Sequence, residues 1–158
     1  MKKRVYIETS VISVLTARPS RSITQAVTKR WWQTCRPQCD VFVSRLVDRE
    51  IGRGDADAVR RRQEAVAMLP WVEITDEVDE LAERLLLAHA LPSVAKDDAT
   101  HVALAAVYKM DILLTWNCRH IANDVTEPRI RTTIVEARYN PPDIMTPADF
   151  TEKIGDMS

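Results

Sequence analysis

Hydrophobic positions along this chain fall into two patterns, short uninterrupted runs and longer segments with an apolar residue every three or four positions. The short runs are Arg4-Val5-Tyr6-Ile7, Asp40-Val41-Phe42-Val43-Ser44, Trp71-Val72-Glu73-Ile74 and Ile112-Leu113-Leu114. Brief β-branched, aromatic or aliphatic runs with polar borders predict buried strands. Asp143-Ile144-Met145 reads as a last edge strand. Between these runs the spacing is helical. Val11 to Leu15 begins a helix, and Ser22 to Arg36 carries Ile23, Ala26, Val27 and Trp31 on one stripe until Pro37 ends it. Ser44 caps a short helix over Arg45 to Ile51, and Asp55 caps another reaching about Leu69, where Pro70 stops it. Thr75 or Asp76 opens a helix to about Ala90. Ile130, Ile134 and Ala137 recur at helical spacing behind Pro128, and Thr146-Pro147 starts a short C-terminal helix.

The stretch KDDATHVALAAVYKMDILLTWNCRHIAN, Lys96 to Asn123, organises the rest. Its acidic pair Asp97-Asp98 suits a helix N-terminus, where free N–H groups and the macrodipole favour negative charge. The Ala-rich segment Val102 to Val107 continues that helix, and the aliphatic run ending at Thr115-Trp116-Asn117 is an interior strand. Strands alternating with helices of ten or so residues imply βαβ crossovers, hence a mainly parallel sheet with helices on both faces. No internal repeat or long linker divides residues 1–158, so a single domain is expected.

Composition narrows the class. Apolar residues make up 46% of the chain and there are three glycines, as in a compact globular domain. No apolar stretch approaches the roughly 20 residues of a membrane span, and MKKRVYIETS lacks a signal-peptide core, so a cytoplasmic protein is expected. Cys35, Cys39 and Cys118 lack the spacing of a zinc site and read as reduced, mostly packed thiols. The net charge of −1 conceals an asymmetry. Residues 1–62 carry 14 Lys/Arg against 6 Asp/Glu, and residues 63–158 carry 8 against 17. Such a division points to a polyanion or an oppositely charged partner.

Ligands of parallel α/β sheets bind beyond the carboxyl ends of the strands. That rule gathers Glu8 after the first strand, Asn117 after the Ile112–Thr115 strand, Asp98 at a helix N-terminus and Glu50 on the helix after the second strand. Three carboxylates and an amide oxygen at one rim repel one another unless protonated or neutralised by a cation. An all-oxygen set suits Mg²⁺ or Mn²⁺, ions that take phosphate oxygens as further ligands and acidify bound water. Phosphodiester hydrolysis is the reaction that fits. No P-loop, GxGxxG or Ser/His/Asp pattern is present.

VYIETSVIS, SRLVDREIGRGD, DDATHVALA, LLTWNCRHIAN and TPADF, in that order, resemble the PIN-domain family, and within it the VapC-type toxins of bacterial type II toxin–antitoxin pairs. The resemblance spans nearly the whole chain. It implies a three-layer α/β/α sandwich, Mg²⁺- or Mn²⁺-dependent endoribonuclease activity on RNA, a homodimer and a small cognate antitoxin. The family's catalytic and metal-binding acids fall on Glu8, Glu50 and Asp98, with its fourth position on Asn117. Thr9, Ser10 and Thr115 stand where hydroxyls orient the acids or water, and Asp97 is a supporting position beside them. Glu8 replaces the more usual Asp, and Asn117 removes one negative charge. These two departures favour the alternative of a catalytically idle PIN-like module that binds RNA or protein.

Other candidates have plainer readings. Arg119 and His120 are placed for RNA phosphate, against packing or capping roles. His101, one turn after Asp98, is placed to approach the site but reads foremost as a hydrogen-bonded core or helix-surface histidine. Trp31 or Trp32 belongs to the core or a dimer interface, Asp48 faces solvent, and Arg60-Arg61-Arg62 is a solvated helix face. A receiver-like phosphoacceptor domain needs an acidic pair after the first strand and a strand-end Lys, and neither is present.

Overall fold

The computed structural model describes residues 2–154. Five strands, β1 (Arg4–Ile7), β2 (Asp40–Ser44), β3 (Trp71–Val72), β4 (Ile112–Leu114) and β5 (Asp143–Met145), form one sheet in the order β3-β2-β1-β4-β5. Every pairing is parallel. β1 is central because Val5, Tyr6 and Ile7 have no polar face to give to solvent, and all three are fully buried. β3 is shorter than its apolar run, since only Trp71 and Val72 pair with β2.

Among the described residues eight α-helices cover the sheet: α1 (Thr9–Thr16), α2 (Ile23–Thr34), α3 (Arg45–Ile51), α4 (Ala56–Val66), α5 (Asp76–Leu87), α6 (Lys96–Val107), α7 (Thr126–Glu136) and α8 (Pro147–Ile154). The chain runs from β1 outward to β2 and β3, then crosses back to β4 and β5. Right-handed crossovers therefore put α1 to α4 on one face and α5 to α7 on the other. Packing agrees: α1 lies against α2 and α4, and α5 against α6 and α7. α8 returns to α2, where Trp31 and Phe150 meet edge to face with centroids 5.6 Å apart. The result is the expected three-layer α/β/α sandwich. Trp31 belongs to the core, whereas Trp32 is half-buried beneath the Arg36 guanidinium.

Local signals explain the boundaries. Ser22, Ser44, Asp55 and Thr75 each accept a backbone N–H in the first turn of the helix they precede. α5, α6 and α7 end in paired reverse bonds, such as Lys109 N–H to Ala106 O and Met110 N–H to Ala105 O. Each places a non-glycine residue, His89, Lys109 or Arg138, at positive φ.

Two readings of the sequence need correction. The buried face of α2 is Gln25, Thr28 and Trp31, where Gln25 ties down the carbonyls after α1, while Ile23 and Ala26 of the expected apolar stripe are exposed. Only Arg60 of the arginine triplet faces solvent, beside Asp57. Arg61 donates to Thr16 O at the end of α1, and Arg62 donates to Ile51 O and Arg53 O at the end of α3. Unpaired carbonyls at two helix C-termini attract these guanidinium groups more strongly than water does.

Lys109 is exposed at φ 58°, a region that costs a Cβ-bearing residue roughly 1–2 kcal/mol. Lys109→Gly relieves that strain, less the lost charge at the helix end and the greater unfolded-chain entropy. We expect a net gain of about 0.5 kcal/mol in urea unfolding, with Lys109→Val destabilising instead.

Candidate active site

Glu8 is the first residue beyond β1 and the N-cap of α1, with extended backbone. Its N–H continues the sheet by donating to Leu114 O at 3.0 Å. The residue is 6% exposed. Its Oε1 accepts hydrogen bonds from the Ser10 hydroxyl and from Thr115 Oγ1, the latter at 2.6 Å. Ser10 Oγ also accepts Trp116 N–H, and Thr115 Oγ1 accepts Asn117 N–H, so the loop after β4 is tied to the start of α1.

Glu50 projects from the last turn of α3. Its Oε1 receives Thr9 Oγ1 and His101 Nε2, both at 2.6 Å. His101 is fully buried on α6, and its Nδ1 lies 2.7 Å from Tyr6 Oη, which is 2.7 Å from Ser44 Oγ. Glu8, Glu50 and His101 each bring one ligand-type atom within 4.8 Å of the others. Asp98 lies one helical turn before His101. Its Oδ2 bonds to His120 Nδ1 at 2.8 Å. Glu50, Asp97 and Asp98 line one open cleft of about 350 Å³ with Val94, Ala95 and Lys96.

The three carboxylates share one arrangement. One oxygen of each is held by hydroxyl or imidazole groups, and among the described residues no hydrogen bond reaches Glu8 Oε2, Glu50 Oε2 or Asp98 Oδ1. Nor does any described Lys or Arg form an ion pair with them. The free oxygens are therefore available to an external cation.

Protonation follows from this packing. Burial pushes the Glu50 carboxyl up, but the His101 hydrogen bond and charge, the Thr9 hydroxyl and Arg53 more than offset it, leaving it below 4.5. Burial pulls His101 down, yet the Glu50 hydrogen bond and the charges of Glu8, Glu50 and Asp98 leave it above 6.5. Burial holds the Tyr6 phenol well above 10, so Tyr6 stays protonated.

Comparison with solved structures places the architecture. VapC20 from Mycobacterium tuberculosis, a toxin that cleaves the sarcin–ricin loop, matches at TM-score 0.55 and 21% identity over 69% of this chain and 86% of its own. VapBC2 from Rickettsia felis, solved on a DNA fragment from its promoter, matches at TM-score 0.61 and 10% identity, covering 90% and 98%. The fold is that of the PIN-domain VapC toxins. No protein-family model and no curated protein matches the chain.

Within this VapC-like fold the expected residues fare differently. Glu8, Glu50 and the supporting hydroxyls of Thr9, Ser10 and Thr115 come together directly. Asp98 joins through the cleft it shares with Glu50, and Asp97 lines that cleft with no side-chain hydrogen bond among the described residues. Asn117 spends one lone pair of its side-chain oxygen on His120 N–H at 3.0 Å, which closes the loop and leaves the second lone pair. Arg119 is exposed, and His120 faces Asp98. Sequence reasoning allowed His101 to approach the site but put a core or surface role first, and it passed over the bond from His120 to Asp98. The signal for His101 was an imidazole three residues past Asp98, followed by an apolar segment.

The shifts of Glu50 and His101 fix a pH dependence. The depressed Glu50 contributes stability above about pH 4.5 that is lost as pH falls through its folded value. The raised His101 contributes stability below about pH 6.5 that is lost as pH rises through its folded value. In chelator, the melting-temperature difference between wild type and Glu50→Gln should therefore be greatest from pH 4.5 to 6.5 and shrink on either side.

Proposed function

We propose that this protein is a Mg²⁺- or Mn²⁺-dependent endoribonuclease, the toxin of a toxin–antitoxin pair. One observation carries the reading. Three carboxylates at the carboxyl rim of a VapC-like sheet are each anchored through one oxygen, and among the described residues the other is unengaged and no Lys or Arg forms an ion pair with any of them. VapC20 is an RNA-cleaving toxin and VapBC2 is a complex, which supports an RNA substrate and an antitoxin partner for a chain of this fold.

Glu8, Glu50 and Asp98 would hold the ion, with Asn117 supplying its remaining lone pair. The ion, when bound, acidifies a coordinated water and neutralises charge on the phosphoryl group. The protein's own part is orientation. Ser10, Thr115 and Thr9 fix the two glutamates against rotation, and Glu50 aligns the attacking water through its free oxygen. In-line attack at phosphorus with departure of the 3′-oxygen leaves a 5′-phosphate and a 3′-hydroxyl. Arg119, exposed on the loop beside Asn117, and His120 are placed to meet flanking phosphates. We further propose that the toxin acts as a homodimer in the cytoplasm. No described helix is long and apolar enough to cross a membrane.

Asp98→Asn is expected to abolish Mn²⁺-stimulated cleavage of RNA and growth arrest while leaving the circular dichroism spectrum unchanged. Full cleavage by that variant refutes the assignment. A second reading, a PIN-like module without catalysis, draws on the engagement of Asn117 in its own loop. Calorimetry separates the two: saturable Mn²⁺ binding that Glu8→Gln weakens supports the nuclease, and none at all supports the module.

A further inference from the structure

His101 is the one site group whose chemistry the proposed function leaves unused. Its ring lies wholly inside the protein, between Tyr6 and Glu50, with no exposed edge. Two roles are open to an imidazole there, ligand to the ion or donor to a ligand. Distance separates them. Two ligands of one Mg²⁺-sized ion, each about 2.1 Å from it and at right angles, stand about 3.0 Å apart. His101 Nε2 and Glu50 Oε1 are 2.6 Å apart, a charge-assisted hydrogen bond.

The carboxylate it faces fixes a proton on Nε2, because Glu50 Oε1 only accepts. The far side of the ring is compatible with the neutral form: Ser44 Oγ accepts Val47 N–H at 3.3 Å and has a proton for Tyr6 Oη, whose own proton then meets His101 Nδ1. When the ring is charged, Nε2 is protonated as well. The excluded form is the Nδ1–H tautomer, which would set a bare nitrogen lone pair against a carboxylate.

We infer that His101 is a positioning residue, held by the buried Ser44–Tyr6 pair, that pins Glu50 Oε1 and turns Oε2 toward the ion. This inference rests on the metal reading above. Thr9 holds the same oxygen from α1, so the carboxylate is gripped from two elements and cannot swing toward solvent. Glu50 is thereby oriented by β1, β2 and α6 together, although it is carried by a seven-residue helix.

The test is calorimetric titration of Mg²⁺, Mn²⁺ and Co²⁺ into wild type, His101→Gln, His101→Leu and Tyr6→Phe, with folding checked by circular dichroism. His101→Leu should weaken all three ions by a similar factor, about 10–100-fold, as loss of a partner that orients a ligand does. His101→Gln keeps an N–H donor and should lose less, as should Tyr6→Phe. If His101→Leu does not fold, Tyr6→Phe, which removes one oxygen, decides by itself. Unchanged affinity in every folded variant overturns the positioning role and leaves the metal reading standing. A far greater loss for Co²⁺ than for Mg²⁺ in His101→Leu also overturns it, because a nitrogen ligand would have been removed. Absence of binding by wild type overturns the metal reading and this inference together. In metal-free wild type, ¹⁵N NMR should find His101 Nε2 protonated, and a proton on Nδ1 alone would refute the chain of donors.

Discussion

Electrostatic repulsion among Glu8, Glu50 and Asp98 is the constraint around which this fold is arranged. Each belongs to a different part of the chain, and each ends at the same rim because the strands are parallel and their carboxyl ends face one way. Like charges in a partly buried site cost free energy that only hydrogen bonds or a cation return. Hydroxyls from Thr9, Ser10 and Thr115 and two imidazoles supply the first kind of compensation. They reach one oxygen per carboxylate and leave the other of each without a hydrogen bond among the described residues.

The sheet order explains how so few residues achieve this. β1 lies between β2 and β4, and the chain reverses direction across the sheet there. Ser10 and Thr115, more than a hundred residues apart, can therefore grip the same Glu8 oxygen. Tyr6 on β1 likewise connects Ser44 at the end of β2 with His101 on α6. A protein with the same side chains on an antiparallel sheet would send alternate strand ends to opposite rims.

Much of this was legible in the sequence, and the legible part has a common cause. Burial on both faces writes strands as unbroken apolar runs, so β1, β2 and β4 stand out, and the caps Ser44, Asp55 and Thr75 mark where helices begin. The acids were visible because rim positions follow strand ends. What pattern could not show was pairing across the chain. Nothing local to Arg61 or Arg62 tells that they reach the carbonyl ends of α1 and α3, and a basic triplet on a helix reads as solvated. His101 was ambiguous for the same reason, since its partners Tyr6 and Glu50 are 95 and 51 residues away.

The two positions at which the chain departs from the pattern it resembles fit together physically. Glu8 adds a rotatable bond to the usual Asp, which would loosen a ligand, but two hydroxyl donors on Oε1 remove that freedom. The longer arm also lets the carboxylate leave the α1 N-cap position, where it makes no capping bond, and meet Thr115 across the sheet. Asn117 acts on charge rather than reach. A fourth carboxylate there would add repulsion to a rim that already holds three, whereas the neutral amide accepts His120 N–H and shapes the loop that brings His120 Nδ1 to Asp98. The neutral amide thus keeps the rim at three carboxylates, and the loop it closes carries the imidazole that holds Asp98.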